Sequence, residues 1–403
     1  MTLLQQIIQT SSTPLISNEP LKYPIPLSSD SILSTLQIDP TFSNPNPTLS
    51  SLLNPLTGFQ ITPIDSSLAE LNTAFFKKLK GICTVKAPLY YSAPAFIEVL
   101  NPFLEKIGVI KFGGLYDVEM GAEFDDYTCS LITKFGSFVA RDVMELVIES
   151  CFAIGNWKIL QTIIVCKLVD YESRSGLLSN LVAKNRSDLI CLCVRVFRVM
   201  KPSDLCMMLK YFISPSKESL VSMIGVRKDW ENEALFAIRK ASDLKLTGNK
   251  MGLLKEVAML FTIAYDEFSS WELCLHHLVS SSVDDIVFLS AITKLSVDEM
   301  LRLIRYLGKW LRKYEKFPEA ELGREAAVSW GVVLAPFVPR FEDVVKCLGL
   351  LVDEHFSLLA MHSEFRDELK AIEEVVSSLA LDGKHCSSIS SLISILKPGV
   401  VGA

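Results

Sequence analysis

The fold is decided by the stretch from Ser296 to Lys316, SVDEMLRLIRYLGKWLRKYEK. Its apolar residues recur three or four positions apart and therefore share one face of a helix: Val297, Met300, Ile304, Leu307, Leu311 and Tyr314. Ser296 and Glu299 fit a capping box, in which the hydroxyl accepts from a backbone amide and the carboxylate reaches back to the cap. The stretch predicts an amphipathic helix with a defined start.

Two more helices of this kind are predicted further along the chain. The first, Phe341 to Leu359, has an apolar stripe of Phe341, Val344, Val345, Leu348, Leu351, Val352, His355, Phe356 and Leu359. The second starts near Glu364 and repeats apolar residues at Phe365, Leu369, Ile372, Val376 and Leu379. Three amphipathic helices with matched stripes predict a helical bundle.

The first two of these helices carry further apolar residues outside their main stripes: Leu303, Tyr306, Trp310, Leu350 and Leu358. A helix that is apolar on two faces is either deeply buried or covered by a partner. We favour the partner and predict that these five residues form a protein–protein interface.

The rest of the chain predicts an all-α protein. Short helices alternate with short turns after about Thr128, which is typical of an irregular helical array, a degenerate α-solenoid. The first 65 residues differ, because nine prolines lie among Ser, Thr and Asn, and proline favours extended backbone. We predict an extended, mostly irregular arm over 1–65, the array over 66–280, the bundle over 281–380, and a tail with a short helix over 381–403.

Composition narrows the protein class. The chain has 403 residues, of which 49% are hydrophobic, and a net charge of −6. A basic excess, which usually accompanies a wide nucleic-acid interface, is missing. The ten cysteines are scattered through apolar runs, as free cysteines of a reducing compartment are. No stretch is long and apolar enough to predict a transmembrane helix.

A family resemblance emerges from three segments: SDLICLCVRVFRVMKPSDLCMMLKYFIS, DDIVFLSAITKLSVDEMLRLIRYLGKWLRKY and CLGLLVDEHFSLLAM. This pattern, over roughly Glu145 to Val376, resembles the helical C-terminal region of nucleolar protein eleven and of its fungal counterpart, the eighth U-three protein. The side chains that carry it best are Tyr306, Leu307, Asp353, His355 and Phe356. Those proteins belong to the transcription-associated subcomplex of the small-subunit processome. Those proteins also carry an N-terminal β-propeller, which residues 1–65 are too few to form, so the resemblance does not extend to the functions of the propeller.

Catalytic and cofactor motifs are missing from the sequence: no P-loop, no G-x-G-x-x-G after a strand and no G-x-S-x-G elbow. The nearest approaches to a metal site are Cys191-x-Cys193 and Cys274-x-His276-His277. Residues one or two apart on a helix point in different directions, so neither set converges on a metal. His355 lies on an apolar stripe, where a histidine donating to a nearby carbonyl or carboxylate is expected. We predict no enzyme activity, no cofactor and no metal.

A basic stripe is predicted on the Ser296–Lys316 helix, formed by Arg302, Arg305, Lys309, Arg312 and Lys316. It suits contact with RNA phosphate or an acidic partner, but it also suits the solvated back of an amphipathic helix, which we favour.

The resemblance implies a non-enzymatic scaffold of the nucleus and nucleolus that acts in small ribosomal subunit biogenesis. Its partners would be other processome subunits, docked on the C-terminal bundle, with pre-rRNA reached indirectly and with neither a membrane nor a small-molecule substrate involved. Three alternatives remain: an α-helical adaptor in transport or protein sorting, an RNA-binding helical protein, and an enzyme with no recognisable motif.

Overall fold

The computed structural model describes residues 63–85, 92–114, 124–197, 199–243, 249–281 and 283–396. All the regular structure in these ranges is helical, as predicted, and it contains no strand. The α-helices are α1 (Pro63–Val85), α2 (Ala93–Phe112), α3 (Phe124–Phe135), α4 (Arg141–Ile154), α5 (Trp157–Val165), α6 (Arg174–Ala183), α7 (Ser187–Val196), α8 (Pro202–Ile213), α9 (Lys217–Asp243), α10 (Asn249–Tyr265), α11 (Ser270–Val279), α12 (Asp285–Ile292), α13 (Val297–Lys316), α14 (Gly323–Ser329), α15 (Phe341–Met361) and α16 (Arg366–Leu396).

Short helices joined by tight turns build the middle of the chain. α4 ends at Gly155, whose φ of 72° is a backbone conformation that suits glycine. α5 begins at once, because Asn156 Oδ1 accepts from the backbone N–H of Ile159 over 3.1 Å. Lys167 and Asn185 also have positive φ, of 57° and 53°, in the turns that follow α5 and α6. The predicted irregular array is confirmed.

α13 lies at the centre of the C-terminal part. The predicted capping box is present, since Glu299 N–H donates to Ser296 Oγ over 3.3 Å and Ser296 N–H donates to Glu299 Oε2 over 2.8 Å. The helix packs against α15 and α16 and also against α8. Gly308 allows the close approach of α16, because a Cβ there would lie only 3.2 Å from the side chain of Ile372.

The chain divides into two units, Met1–Ser67 and Leu68–Ala403. Within the second unit the predicted array and bundle share one core, because Phe268 and His276, from the array, pack against Trp310 of α13. A boundary at residue 280 therefore does not separate two cores.

The structure tests only one of the two predicted end segments. The arm over 1–65 lies outside the described residues, apart from the last three, which begin α1. The tail over 381–403 is not a separate short helix where it is described, because α16 runs without interruption from Arg366 to Leu396.

A close backbone contact fixes α14 against α10. Gly323, the first residue of α14, has no side chain, and a Cβ placed there would lie 2.6 Å from the backbone of Glu256 and Val257. Because a backbone cannot give way as a flexible side chain can, glycine is required at this crossing.

Within the described ranges, every helix is too short or too polar to span a lipid bilayer.

Candidate functional site

The predicted interface on α13 is wrong, because its side chains are buried in the chain's own core. Leu303, Tyr306 and Trp310 are each 0% exposed. The Trp310 ring lies 5.0 Å from the Phe268 ring and 5.0 Å from the His276 ring, centroid to centroid. A helix that is apolar on two faces had two explanations, and deep burial is the correct one for α13.

A hydrogen-bonded chain of three aromatic side chains runs through this core. Trp310 Nε1 donates to the Tyr306 hydroxyl over 3.1 Å, and that hydroxyl lies 2.9 Å from His276 Nδ1. His276 Nε2 lies 2.9 Å from the carbonyl oxygen of Ala264, which only accepts, so Nε2 carries the proton and Nδ1 accepts from Tyr306. Burial lowers the pKa of His276 to about 3, which agrees with this neutral ring.

The other two predicted interface residues, Leu350 and Leu358 of α15, are half-buried. Next to them lies a set at helical spacing, exposed except at the half-buried Val352, which we call the α15 stripe: Val345, Gly349, Val352, Phe356 and Ala360. Phe356 is 67% exposed and Val345 is 44% exposed. These two residues were predicted to be core, but the core face of α15 consists instead of Val344, Cys347, Leu348, Leu351 and Leu359.

A kink in α15 lies beside Phe356. His355 has φ −110° and ψ 18°, which is not helical. Its Nε2 lies 3.2 Å from the carbonyl oxygen of Ile292, and because that oxygen only accepts, the imidazole donates. The expected bond between His355 and a nearby carbonyl is therefore present. The half-buried imidazole holds α15 to the end of α12 and leaves the neighbouring Phe356 in solvent.

Most cations of the basic stripe of α13 have partners within the chain. Lys309 Nζ lies 2.8 Å from Glu272 Oε1, and Arg302 Nη1 donates to the carbonyl oxygen of Ile213 over 2.9 Å. Arg305 and Arg312 both pair with Glu368, over 3.7 and 3.4 Å. Lys316 is exposed. Four of the five cations thus attach α13 to α8, α11 and α16. In the described structure only two carboxylates, Glu272 and Glu368, pair with them, so this face keeps part of its positive charge.

A cavity of about 320 Å³ with a mixed polar and apolar lining, which we call the α7–α9 cavity, opens between α7, α9, α11 and a turn before α15. Its lining comprises Asp188, Cys191, Arg195, Val226, Asp229, Trp230, Asn232, Glu233, His277, Val333 and Leu334. Asp188 is already paired with Arg186, 2.6 Å between Arg186 Nη2 and Asp188 Oδ2. The other charged groups of the lining are Asp229, Glu233 and Arg195, and the guanidinium carbon of Arg195 lies 5.7 Å from the centroid of the Phe337 ring.

Four buried atoms of this lining have no hydrogen-bond partner among the described residues: Arg195 Nε, Trp230 Nε1, Glu233 Oε2 and His277 Nδ1. Trp230 is 0% exposed and His277 is 2% exposed. Burial is the main cause of the raised pKa values of Asp229 and Glu233, and it lowers the pKa of His277 well below its usual range. These four atoms have almost no accessible surface, so they lie within the wall of the cavity and do not face its interior.

A second cavity, of about 450 Å³, lies around Arg141 and Arg174. Its charges are better matched, since Arg141 lies within 3.0–3.3 Å of oxygens of Glu145, Asp170 and Glu172. It is the weaker candidate for a ligand site.

The cysteines and histidines that were weighed as metal ligands are buried: Cys191, Cys193, Cys274, His276 and His277. In the part of the chain that the structure describes, no three His, Cys, Asp or Glu residues are grouped so that they could hold a metal ion. Burial raises the pKa of the Cys193 and Cys274 thiols, so both remain protonated.

Sequence reasoning missed the α7–α9 cavity, because its residues come from three helices and a turn that are far apart in the chain. The local signal was weak: Asp229 and Glu233 lie one helical turn apart with Trp230 between them. The α15 stripe was predicted in part, since Val345, Val352 and Phe356 were recognised as apolar but were assigned to the core.

Comparison with protein-family models finds no match for this chain. Comparison with curated proteins finds no match either.

Proposed function

We propose that this protein is a non-enzymatic scaffold of the nucleolus, which assembles with other subunits of the small-subunit processome through the α15 stripe. The resemblance over roughly Glu145 to Val376 supports the cellular role. The observation that carries the docking mechanism is the exposure of Phe356, one of the residues on which the resemblance rests.

The α15 stripe has the form of a helix-docking surface. Its five residues are spaced four, three, four and four apart, as on one helix face, with the kink at His355 between Val352 and Phe356. An aromatic anchor with apolar neighbours is a typical centre of such an interface. The exposed Glu342 and Asp353 flank the stripe. The partner that fits is an amphipathic helix with an apolar face bordered by Lys or Arg.

The proposal does not depend on the basic stripe of α13, because four of its cations form ion pairs or a hydrogen bond within the chain. The α7–α9 cavity does not favour catalysis. Its histidine, His277, has no hydrogen-bond partner at Nδ1, so it does not activate the Cys191 thiol through that atom.

The test is affinity purification of the tagged protein from nuclear extract, with identification of the partners. Phe356→Ala should leave the helix intact, since alanine favours helices, and should weaken binding of processome subunits by about 25-fold if Phe356 contributes about 2 kcal/mol. Val221→Ala is the matched control, because Val221 is 69% exposed and lies on α9, away from the stripe.

Two outcomes contradict the proposal. Recovery of sorting or transport proteins in place of processome subunits, with the tagged protein outside the nucleolus, would favour the adaptor alternative. Processome subunits that bind the Phe356→Ala variant as well as they bind the unchanged protein would exclude the α15 stripe.

A further inference from the structure

The solvent-facing side of α9 carries six exposed residues at regular spacing, which we call the α9 seam: Val221, Ile224, Lys228, Glu231, Leu235 and Ile238. They lie three, four, three, four and three positions apart. The four aliphatic side chains among them are 41–69% exposed. The opposite side of the helix is buried in the core: Met223, Val226, Trp230, Ala234 and Ala237. α9 therefore has a second, partly apolar side that its own core does not use.

The spacing of the α9 seam is that of a two-stranded coiled coil, in which residues three and four apart face a partner helix. From Val221 to Ile238 the seam is about 25 Å long, at 1.5 Å per residue. Single exposed apolar residues are common on protein surfaces, but four aliphatic residues in line on one helix indicate an interaction surface. The order of the residues along the seam shows which partner fits.

The α9 seam is complementary to itself when two copies of the helix run antiparallel. Each residue of one copy then faces a suitable residue of the second copy in three kinds of pair: Val221 with Ile238, Ile224 with Leu235, and Lys228 with Glu231. All these pairs are centred on the same point of the helix, between Asp229 and Trp230. A two-fold axis through that point makes every contact twice, as in a symmetric dimer.

The two charges of the seam select the antiparallel orientation. A parallel pair in register would place Lys228 against Lys228 and Glu231 against Glu231, and like charges in such a seam repel each other. The antiparallel pair joins the opposite charges instead. Among the described residues, neither Lys228 nor Glu231 forms an ion pair within the chain. A purely apolar partner would leave both charges unpaired at the contact, which is costly.

We propose that two copies of this chain form an antiparallel dimer through the α9 seam. The aliphatic pairs exclude water at both ends of the contact, and the two Lys228–Glu231 pairs at its middle fix the register. The dimer uses α9, whereas each copy carries a complete α15 stripe. Dimerisation and the proposed docking of other subunits are therefore independent of each other.

The proposal is tested by sedimentation equilibrium on the full chain. The measured mass should rise with concentration from that of one chain, 44.9 kDa, toward twice that value. Lys228→Glu and Glu231→Lys should each raise the dissociation constant of the dimer by about tenfold or more, because each places like charges together. An equal mixture of the two variants should again form dimers as tightly as the unchanged protein, since opposite charges then meet in both central pairs.

Two control variants lie outside the α9 seam. Lys316→Glu reverses an exposed cation on α13, and Phe356→Ala truncates the α15 stripe; both should leave the dimer unchanged. Thermal denaturation checks that the seam variants are folded, which their exposed positions favour.

Three results would overturn the proposal. The first is a mass that stays at that of one chain up to about 100 μM. The second is a dimer that neither charge reversal weakens. The third is a mixture of the two variants that remains monomeric. A monomeric chain whose Lys228→Glu variant loses a bound subunit would show instead that a helix of another protein occupies the seam.

Discussion

The hydroxyl of Tyr306 joins His276 to Trp310: it donates to His276 Nδ1 over 2.9 Å and accepts from Trp310 Nε1 over 3.1 Å. Tyr306→Phe should leave both nitrogens buried and unpaired, at about 1–3 kcal/mol each. We expect the free energy of unfolding, measured by urea denaturation, to fall by about 2–6 kcal/mol. Tyr171→Phe, at a position that is 41% exposed, should change it by less than about 0.5 kcal/mol. If Tyr306→Phe lowers the free energy of unfolding as little as Tyr171→Phe does, the hydrogen-bonded chain from Trp310 to His276 is not present.

Trp310→Ala should act on stability and not on docking. Trp310 is 0% exposed, and truncating a buried tryptophan costs about 3–5 kcal/mol. Phe356→Ala should cost less than about 1 kcal/mol, because Phe356 is 67% exposed. Thermal and urea denaturation of the two variants check this contrast. A stable Trp310→Ala variant would mean that the ring does not lie in the core.

Acid should destabilise the fold through two buried histidines. Burial lowers the pKa of His276 to about 3 and that of His277 well below 6.5, so only the unfolded chain protonates them near pH 6.5. Their contribution to stability is complete above that pH and is lost as the pH falls below it. At about pH 5.5 each should have lowered the free energy of unfolding by about 1.4 kcal/mol.

This pH effect is measured by urea denaturation between about pH 7.5 and 5.5, where His277→Leu should remove about half of the decrease. Asp229 and Glu233, whose pKa values are raised by burial, act in the opposite sense, because the folded chain protonates them first. Stability that is unchanged over this range would contradict the neutral burial of the two histidines.

The ion pair between Lys309 and Glu272 should matter more than the rest of the basic stripe. The Glu272 side chain is 3% exposed and that of Lys309 is 34% exposed, so Lys309→Met would leave a buried carboxylate without its cation. We expect a loss of about 1–2 kcal/mol, since solvent partly screens the pair. Lys316→Met, at an exposed position, should cost less than about 0.5 kcal/mol. Equal effects of the two substitutions would be inconsistent with this pairing.

The sequence was most informative where the causes are local. The start of α13 followed from Ser296 and Glu299, since a helix cap depends on neighbouring residues. The side on which each helix is buried depends on distant elements. Trp310 is covered by Phe268, which is far away in the chain. The apolar periodicity of α13 therefore did not show whether Trp310 lies in the core or in an interface.

Distant elements also decide which side of α15 is buried and which residues line the α7–α9 cavity. Val345 and Phe356 match the spacing of core residues, but the contact of His355 with Ile292 orients α15 so that they face solvent. Arg195, Glu233 and His277 come together only in three dimensions, from three separate helices. No local pattern joins them, so sequence periodicity had no means of predicting the cavity.

The close crossing of α10 and α14 at Gly323 can help to align the sequences of related proteins. Any side chain at that position would meet the backbone of Glu256 and Val257 at 2.6 Å, so every protein that shares this crossing must keep glycine there. An invariant glycine shortly after the helix that corresponds to α13 can therefore anchor alignments of distant homologues. It should persist even where the apolar residues around it have been exchanged for one another.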